Sequence, residues 1–228
     1  MMNRPTRRVR AAAIGTASLL ALAGIAFPST ASAQPLTPAP TAGAPIAAGV
    51  TGPVAAEMTA MLKLNPGGIQ VSDNAMVWPG GAGTTAVWPS PGQKFAPAGL
   101  GSNIRYDVLK SMGIDSVTSE FGDEYGVEAV HGCPSGVTVK DYYCFYTDIA
   151  FGGRRLQFTG ATSAANAGNP WSFDNQTSSW VNTDTNVIVG VCDGANQTGT
   201  ILWIEPENSA VSALSTSLND KLSSWYTA

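Results

Sequence analysis

The chain has 228 residues, 12% of them charged and 44% hydrophobic, and its sixteen Asp and Glu outnumber twelve Lys and Arg to give a formal net charge of −4. That balance excludes a nucleic-acid binder, because such affinity draws on clustered Lys and Arg. The single histidine, His131, excludes a His-based metal cluster and leaves any Ser-His-Asp triad one ring to use.

Residues 1–33 place Arg4, Arg7, Arg8 and Arg10 ahead of an apolar run from Ala11 to Phe27 and end in Ala31-Ser32-Ala33. A basic start, a short apolar stretch and an Ala-x-Ala exit predict a secretory signal peptide cleaved after Ala33. The run is too short to span a bilayer, so the product is expected to be secreted and extracellular, with no membrane span. Cleavage takes four of the twelve basic residues and no acid, which leaves eight against sixteen and a mature charge of −8. Residues 34–53, rich in Pro, Ala, Thr and Gly and without charge, predict a flexible leader, since they bury too little to offset their ordering entropy.

Residues 54–130 form an N-terminal extension. Val54, Met58, Met61 and Leu62 share one helical face and Asn65-Pro66-Gly67-Gly68 stops it, so a helix is predicted over 54–64. Three short β-like pieces follow at Ile69 to Val71, Met76 to Trp78 and Ala86 to Trp88, with turns at Asp73-Asn74 and Pro79-Gly80-Gly81. They make either a small β-meander packed on the domain that follows, or a propeptide or surface arm. Residues 89–130 are rich in Gly, Pro and Ser, with a short helix expected at Tyr106 to Met112. Asp123 and Glu124 are adjacent in a polar loop and read as a soluble turn; the competing reading is a carboxylate-only hydrolase.

Residues 131–228 hold two copies of one unit, about 142–180 and 187–225. Tyr146 to Gly153 matches Cys192 to Gly199, Phe158 matches Ile204 and Trp180 matches Trp225, all at offsets of 45 or 46. Fixed-period self-similarity points to a duplicated supersecondary unit whose copies share one core. Within each copy short alternating runs are separated by Gly-rich turns, which predicts about four strands per copy and an all-β class. Gly153 and Gly199 fall where a hairpin turns back and are read as structural.

Ahead of Trp180 stands Asp174-Asn175-Gln176-Thr177-Ser178-Ser179, and ahead of Trp225 stands Asn219-Asp220-Lys221-Leu222-Ser223-Ser224. Each supplies two Asx residues, a two-residue spacer and two hydroxyls. An oxygen-rich set without His or Cys suits a hard cation, and calcium in particular. The competing reading is that Asx and Ser make turn hydrogen bonds at a Greek-key corner without any ion.

The aromatic-x6-Gly hairpins and the Asx-Asx-x-x-Ser-Ser arms resemble βγ-crystallin Greek-key motifs. The resemblance implies two Greek-key motifs forming one β-sandwich, with a short N-terminal helix and small β extension ahead of it, and Ca2+ at up to two sites clamped between motifs. One site would use Asn175, the Gln176 carbonyl and Ser178, with the Asp193 hairpin. The other would use Asp220, the Lys221 carbonyl and Ser223, with the Asp148 hairpin; Asp174 and Asn219 complete the two arms. One carboxylate per arm implies modest affinity, about 10⁻⁴ M, so calcium would serve stability more than signalling.

Cys133-Pro134-Ser135-Gly136, with Cys144 after it, resembles the opening of the secreted microbial metalloproteinase-inhibitor family, small proteins of βγ-crystallin-like fold. Ten residues separate the two cysteines here, where the family has a shorter spacer. The resemblance implies a Cys133–Cys144 disulfide, no catalytic residue, and an extracellular protease as partner, most plausibly a zinc enzyme. Such a disulfide would hold Gly136, Val137, Thr138, Val139, Lys140, Asp141 and Tyr142 at both ends as the inhibitory loop. Cys192 stands where its repeat expects an aromatic and is left unpaired, as a buried thiol in preference to an intermolecular bond. Two other functions compete with inhibition: a calcium-stabilised structural or cell-surface binding module without a protease target, and a toxin-like domain acting on other microbes.

Overall fold

A computed structural model describes residues 49–79, 83–100, 128–135, 142–159, 167–168 and 171–228. The signal peptide, most of the leader, the helix expected at 106–112 and loop positions 136–141 lie outside the described residues.

The helix expected over 54–64 is α1 (Ala55–Leu64). Met58 and Met61, three residues apart and so on one face, are buried. Glu57 in its first turn and Lys63 in its last suit the helix dipole. The strands are β1 (Ile69–Ser72), β2 (Ala75–Trp78), β3 (Thr84–Val87), β4 (Glu128–Val130), β5 (Cys133–Ser135), β6 (Tyr142–Tyr146), β7 (Arg155–Thr159), β8 (Ser179–Asn182), β9 (Val189–Cys192), β10 (Ile201–Glu205), β11 (Ser209–Val211) and β12 (Ser224–Thr227). One sheet runs β1-β2-β3-β7-β6-β8-β11, a second runs β10-β9-β12, and β4-β5 is a separate hairpin.

The duplication is written into this topology. The first repeat contributes β7-β6-β8 and the second β10-β9-β12 in the same order, while β11 leaves its own repeat to pair with β8, Val211 opposite Trp180. In the reciprocal direction the Ala167 amide donates to the Ser223 carbonyl, just ahead of β12, at 2.8 Å. Each repeat therefore completes the other, and the fold is a mostly antiparallel β-sandwich with one short helix. Tyr143, Phe145 and Phe158 from the first repeat meet Val189, Val191 and Trp225 from the second in one core. The Trp225 ring lies 4.8 Å from Phe158 and 5.0 Å from Phe145, and its indole N–H donates to the Tyr143 hydroxyl at 3.2 Å.

Three expectations are corrected. The extension is a small β-meander, β1-β2-β3, but it continues the domain's sheet edge to edge where packing on the domain was expected. β3 adds to the outer edge of β7, with Thr85 opposite Gln157 and Val87 opposite Arg155, and Met58, Met61, Met76 and Trp78 enter the same core as the repeats. An open edge of unpaired backbone groups on β7 is the physical reason for that strand. Second, Phe158 faces Tyr143 whereas Glu205 faces Val189, so the counterpart of Phe158 is Glu205 and not Ile204. A register shift between Ile201 and Trp203 inserts one residue, which rotates every later side chain to the other face. Third, Tyr142 opens strand β6 opposite Thr159 and is buried, so it belongs to the sheet and not to an exposed loop.

Candidate functional site

The two β-hairpins of the repeats are built alike, residue for residue. After Tyr146 and Cys192 the chain turns through pairs of left-handed residues, Ala150 and Phe151 at φ 55° and 60°, Asn196 and Gln197 at φ 59° and 54°. Gly153 and Gly199 close the turns at φ 72° and 77°, a conformation that costs a side-chain-bearing residue about 1–2 kcal/mol. Thr147 Oγ1 accepts from the Arg154 amide at 2.9 Å, and Asp193 Oδ1 accepts from the Thr200 amide at 2.6 Å. The structural counterpart of Asp193 is thus Thr147, and Asp148 corresponds to Gly194. The last serine of each arm clamps its own hairpin: Ser179 donates to the Asp148 carbonyl and accepts from the Phe151 amide, and Ser224 does the same for Gly194 and Gln197.

This arrangement changes the expected ligand grouping. The Ser178 amide donates to the Tyr146 carbonyl and the Ser223 amide to the Cys192 carbonyl. Ser178 therefore lies by the Asp148 hairpin and Ser223 by the Asp193 hairpin, the reverse of the pairing read from sequence. What crosses between repeats is the Asx position: the Asn175 amide donates to the Leu222 carbonyl, the Asp220 amide donates to the Thr177 carbonyl, and both residues are left-handed at φ 54° and 55°. Asp220 Oδ1 stands 3.4 Å from the Ser178 hydroxyl, two oxygens from different repeats at the spacing of neighbouring ligands of a hard cation. Asp174 Oδ2 accepts from Asn175, and Asp220 Oδ2 from Asn219 at 2.6 Å. The Gln176 side chain is drawn the other way, to Arg154 and the Ser172 carbonyl, which leaves its backbone carbonyl as its contribution to a site. Lys221 is exposed. Among the described residues no group of three His, Cys, Asp or Glu converges, and the oxygens that meet at Ser178 and Asp220 are hard donors.

Beyond β6 lies a covered face. Cys133 and Cys144 are joined by a disulfide with Cα atoms 6.0 Å apart, which ties β5 to β6 on either side of residues 136–141. His131 stacks on Phe151, ring centroids 3.8 Å apart, and its carbonyl accepts from the Tyr146 hydroxyl at 3.0 Å. It packs a hairpin and holds no nucleophile. Two adjacent arginines of the first hairpin turn inward: Arg155 donates to Gln157 Oε1 at 2.7 Å and the Pro97 carbonyl at 2.9 Å, and Arg154 lies over the Phe173 ring at 4.8 Å. Burial lowers both guanidinium groups to about 10, and for Arg155 the neighbouring Tyr146 opposes the shift. Cys192 is a free, buried thiol, pushed up by burial and by Asp193.

Glu205 was invisible in the sequence as a special residue. Its side chain is fully buried; Oε1 accepts from the Trp203 indole at 2.9 Å and Oε2 has no partner among the described residues. Burial raises its carboxyl well above the usual range, against the Trp203 hydrogen bond.

Residues 133–204 match the model of peptidase inhibitor family I36. Among solved structures the chain is similar to one described under the evolution of the eye lens βγ-crystallin domain fold, at 24% identity over 44% of this chain and 93% of that one, TM-score 0.36. It is also similar to a double mutant of a βγ-crystallin domain from Clostridium beijerinckii, at 23% identity over 39% and 96%, TM-score 0.33. A βγ-crystallin domain from Flavobacterium johnsoniae matches at 21% identity over 38% and 92%, TM-score 0.28. No curated protein matches the chain. The matched family is one of inhibitors and not of enzymes, it implies a protease partner, and together with the disulfide it is consistent with an extracellular location. Over residues 133–204, from the disulfide-bonded Cys133 into the second repeat, this chain is similar to the peptidase inhibitor family I36.

Proposed function

We propose that this protein inhibits an extracellular zinc metalloprotease by offering residues 136–141 to its active-site cleft. The observation that carries the reading is the Cys133–Cys144 disulfide, which fixes both flanks of that segment to a sheet within the stretch that matches the inhibitor family. A segment anchored at both ends loses little freedom on docking, so more of its contact energy appears as affinity. A backbone carbonyl or the Asp141 carboxylate is the hard donor suited to the enzyme's zinc. Calcium, held by Ser178, Asp220 and the carbonyls around Asp148, would pin the two repeats together and stiffen the scaffold that presents the loop.

The test is titration of the mature protein against a thermolysin-like protease at fixed calcium. Stoichiometric loss of activity, with the inhibitor recovered uncleaved, is the expected result. A folded protein that leaves the enzyme fully active at large excess refutes the target class. Replacing 136–141 by Gly and Ser should abolish inhibition without changing the melting temperature; retained inhibition would refute the loop assignment.

A further inference from the structure

The two repeats share a fold but not a cover. On the first, the face turned away from the core carries Tyr142, Cys144, Tyr146, Arg155, Gln157 and Val181, all buried. Segments outside the repeat close it. Cys133 bonds Cys144, the Pro97 and Leu100 carbonyls accept from Arg155 and Gln157, and β3 pairs along the outer edge of β7.

By register the same face of the second repeat carries Ile188, Gly190, Cys192, Ile201, Ile204 and Tyr226. Among the described residues nothing comparable covers it: Ile201 is 54% exposed, Ile204 44% and Ile188 36%. Strand β10, the counterpart of β7, ends its sheet, and no described strand pairs with its outer edge. Natural edge strands are guarded by Lys or Pro along the strand, by bulges or by inward-pointing charge; β10 has no Lys or Pro, one bulge at its start and one acid at its last position. β10 reads Ile-Leu-Trp-Ile-Glu, and its one acid points inward and is buried. The bulge at Leu202 sits at the start of the strand, which leaves Trp203 to Glu205 regular.

We propose that β10 is the interface of a homodimer, in which β10 of a second copy adds antiparallel to this edge and joins two three-stranded sheets into one. Three observations select that occupant. The pseudo-equivalent edge, on β7, is filled by an uncharged antiparallel strand, Thr84–Val87, and β10 is itself an uncharged, apolar strand over Ile201 to Ile204. An antiparallel strand paired with its own copy has a two-fold axis, so the contact closes on itself and uses up the open edge. The exposed patch carries no formal charge, so two acidic chains meet there without like charges in contact, and a partner selected by charge would gain nothing.

Sedimentation equilibrium of the full secreted protein, with Ile201→Lys/Ile204→Lys as the variant, tests the proposal. Wild type should show a mass twice that of the chain and the variant the mass of one chain, with the melting curve of the wild-type monomer because both positions are exposed. Amide exchange provides a reading that does not depend on the variant folding: the Leu202 to Ile204 amides of the wild type should slow by about tenfold or more as concentration rises through the association range. A wild-type protein that remains a single chain at high micromolar concentration overturns the proposal, as does a variant that stays dimeric. Slowing of the β10 amides only on addition of a protease also overturns it, because the edge would then serve the target and not a second copy.

Discussion

Replacing Glu205 with Gln should stabilise this protein at neutral pH and leave it nearly unchanged near pH 4. The carboxyl occupies the core position that Phe158 fills in the first repeat; it is fully buried, with Oε2 unpartnered among the described residues and Oε1 on the Trp203 indole. Burial holds its pKa well above the ordinary range, so the folded protein keeps a proton that the unfolded chain has already released. The unfolded state then binds fewer protons, and stability must fall as pH rises. It is fully present below the unfolded pKa, about 4.3, and is lost progressively up to the raised folded value. One group is involved, so the slope is about 1.4 kcal/mol per pH unit across that window. Gln retains the acceptor for Trp203 and carries no titrating proton, hence the variant should lack this slope. Urea unfolding followed by tryptophan fluorescence at a series of pH values measures the difference. Parallel stability curves for the two proteins, or a variant weaker than wild type at neutral pH, would refute the assignment of Glu205 as a buried neutral acid.

Reducing the Cys133–Cys144 bond should destabilise the domain by about 3 kcal/mol on the chain-entropy account, given a sequence separation of 11; calorimetry with and without reductant checks it, and inhibition should fall with it. Gly153→Ala places a methyl on Thr147 Oγ1 at a left-handed backbone, so it should cost more than about 1 kcal/mol, seen as a lowered urea midpoint, and Gly199→Ala should behave alike against Asp193. Calcium should raise the melting temperature of the wild type, and Asp220→Asn should weaken that shift while leaving the calcium-free melting point almost unmoved. A wild type indifferent to calcium would remove the ion from the scaffold.

The repeats were legible because a constant offset survives in the residues that build the hairpins and arms, Gly153 with Gly199 and Ser179 with Ser224. Burial of Cys192 and the helix carrying Met58 and Met61 were legible for the same local reasons. What sequence could not give was register and partner. One inserted residue at Leu202 moved Glu205 from the surface into the core, and no periodicity marks a bulge. The pairing of β3 with β7 spans a gap that no local signal bridges. The two arms were assigned to the wrong hairpins, because only the hydrogen bonds of Ser178 and Ser223 show which hairpin each arm touches.

The added strand at the edge of β7 also sets an order of events. β3 and its sheet neighbour are separated by about 70 residues, so a chain emerging from its N-terminus holds Met58, Met61 and Trp78 uncovered until the first repeat has followed. Folding of the early part waits on the late part. A polypeptide with that dependence stays pliable through synthesis and becomes rigid only when its last strands arrive, at which point Trp225 seals the core.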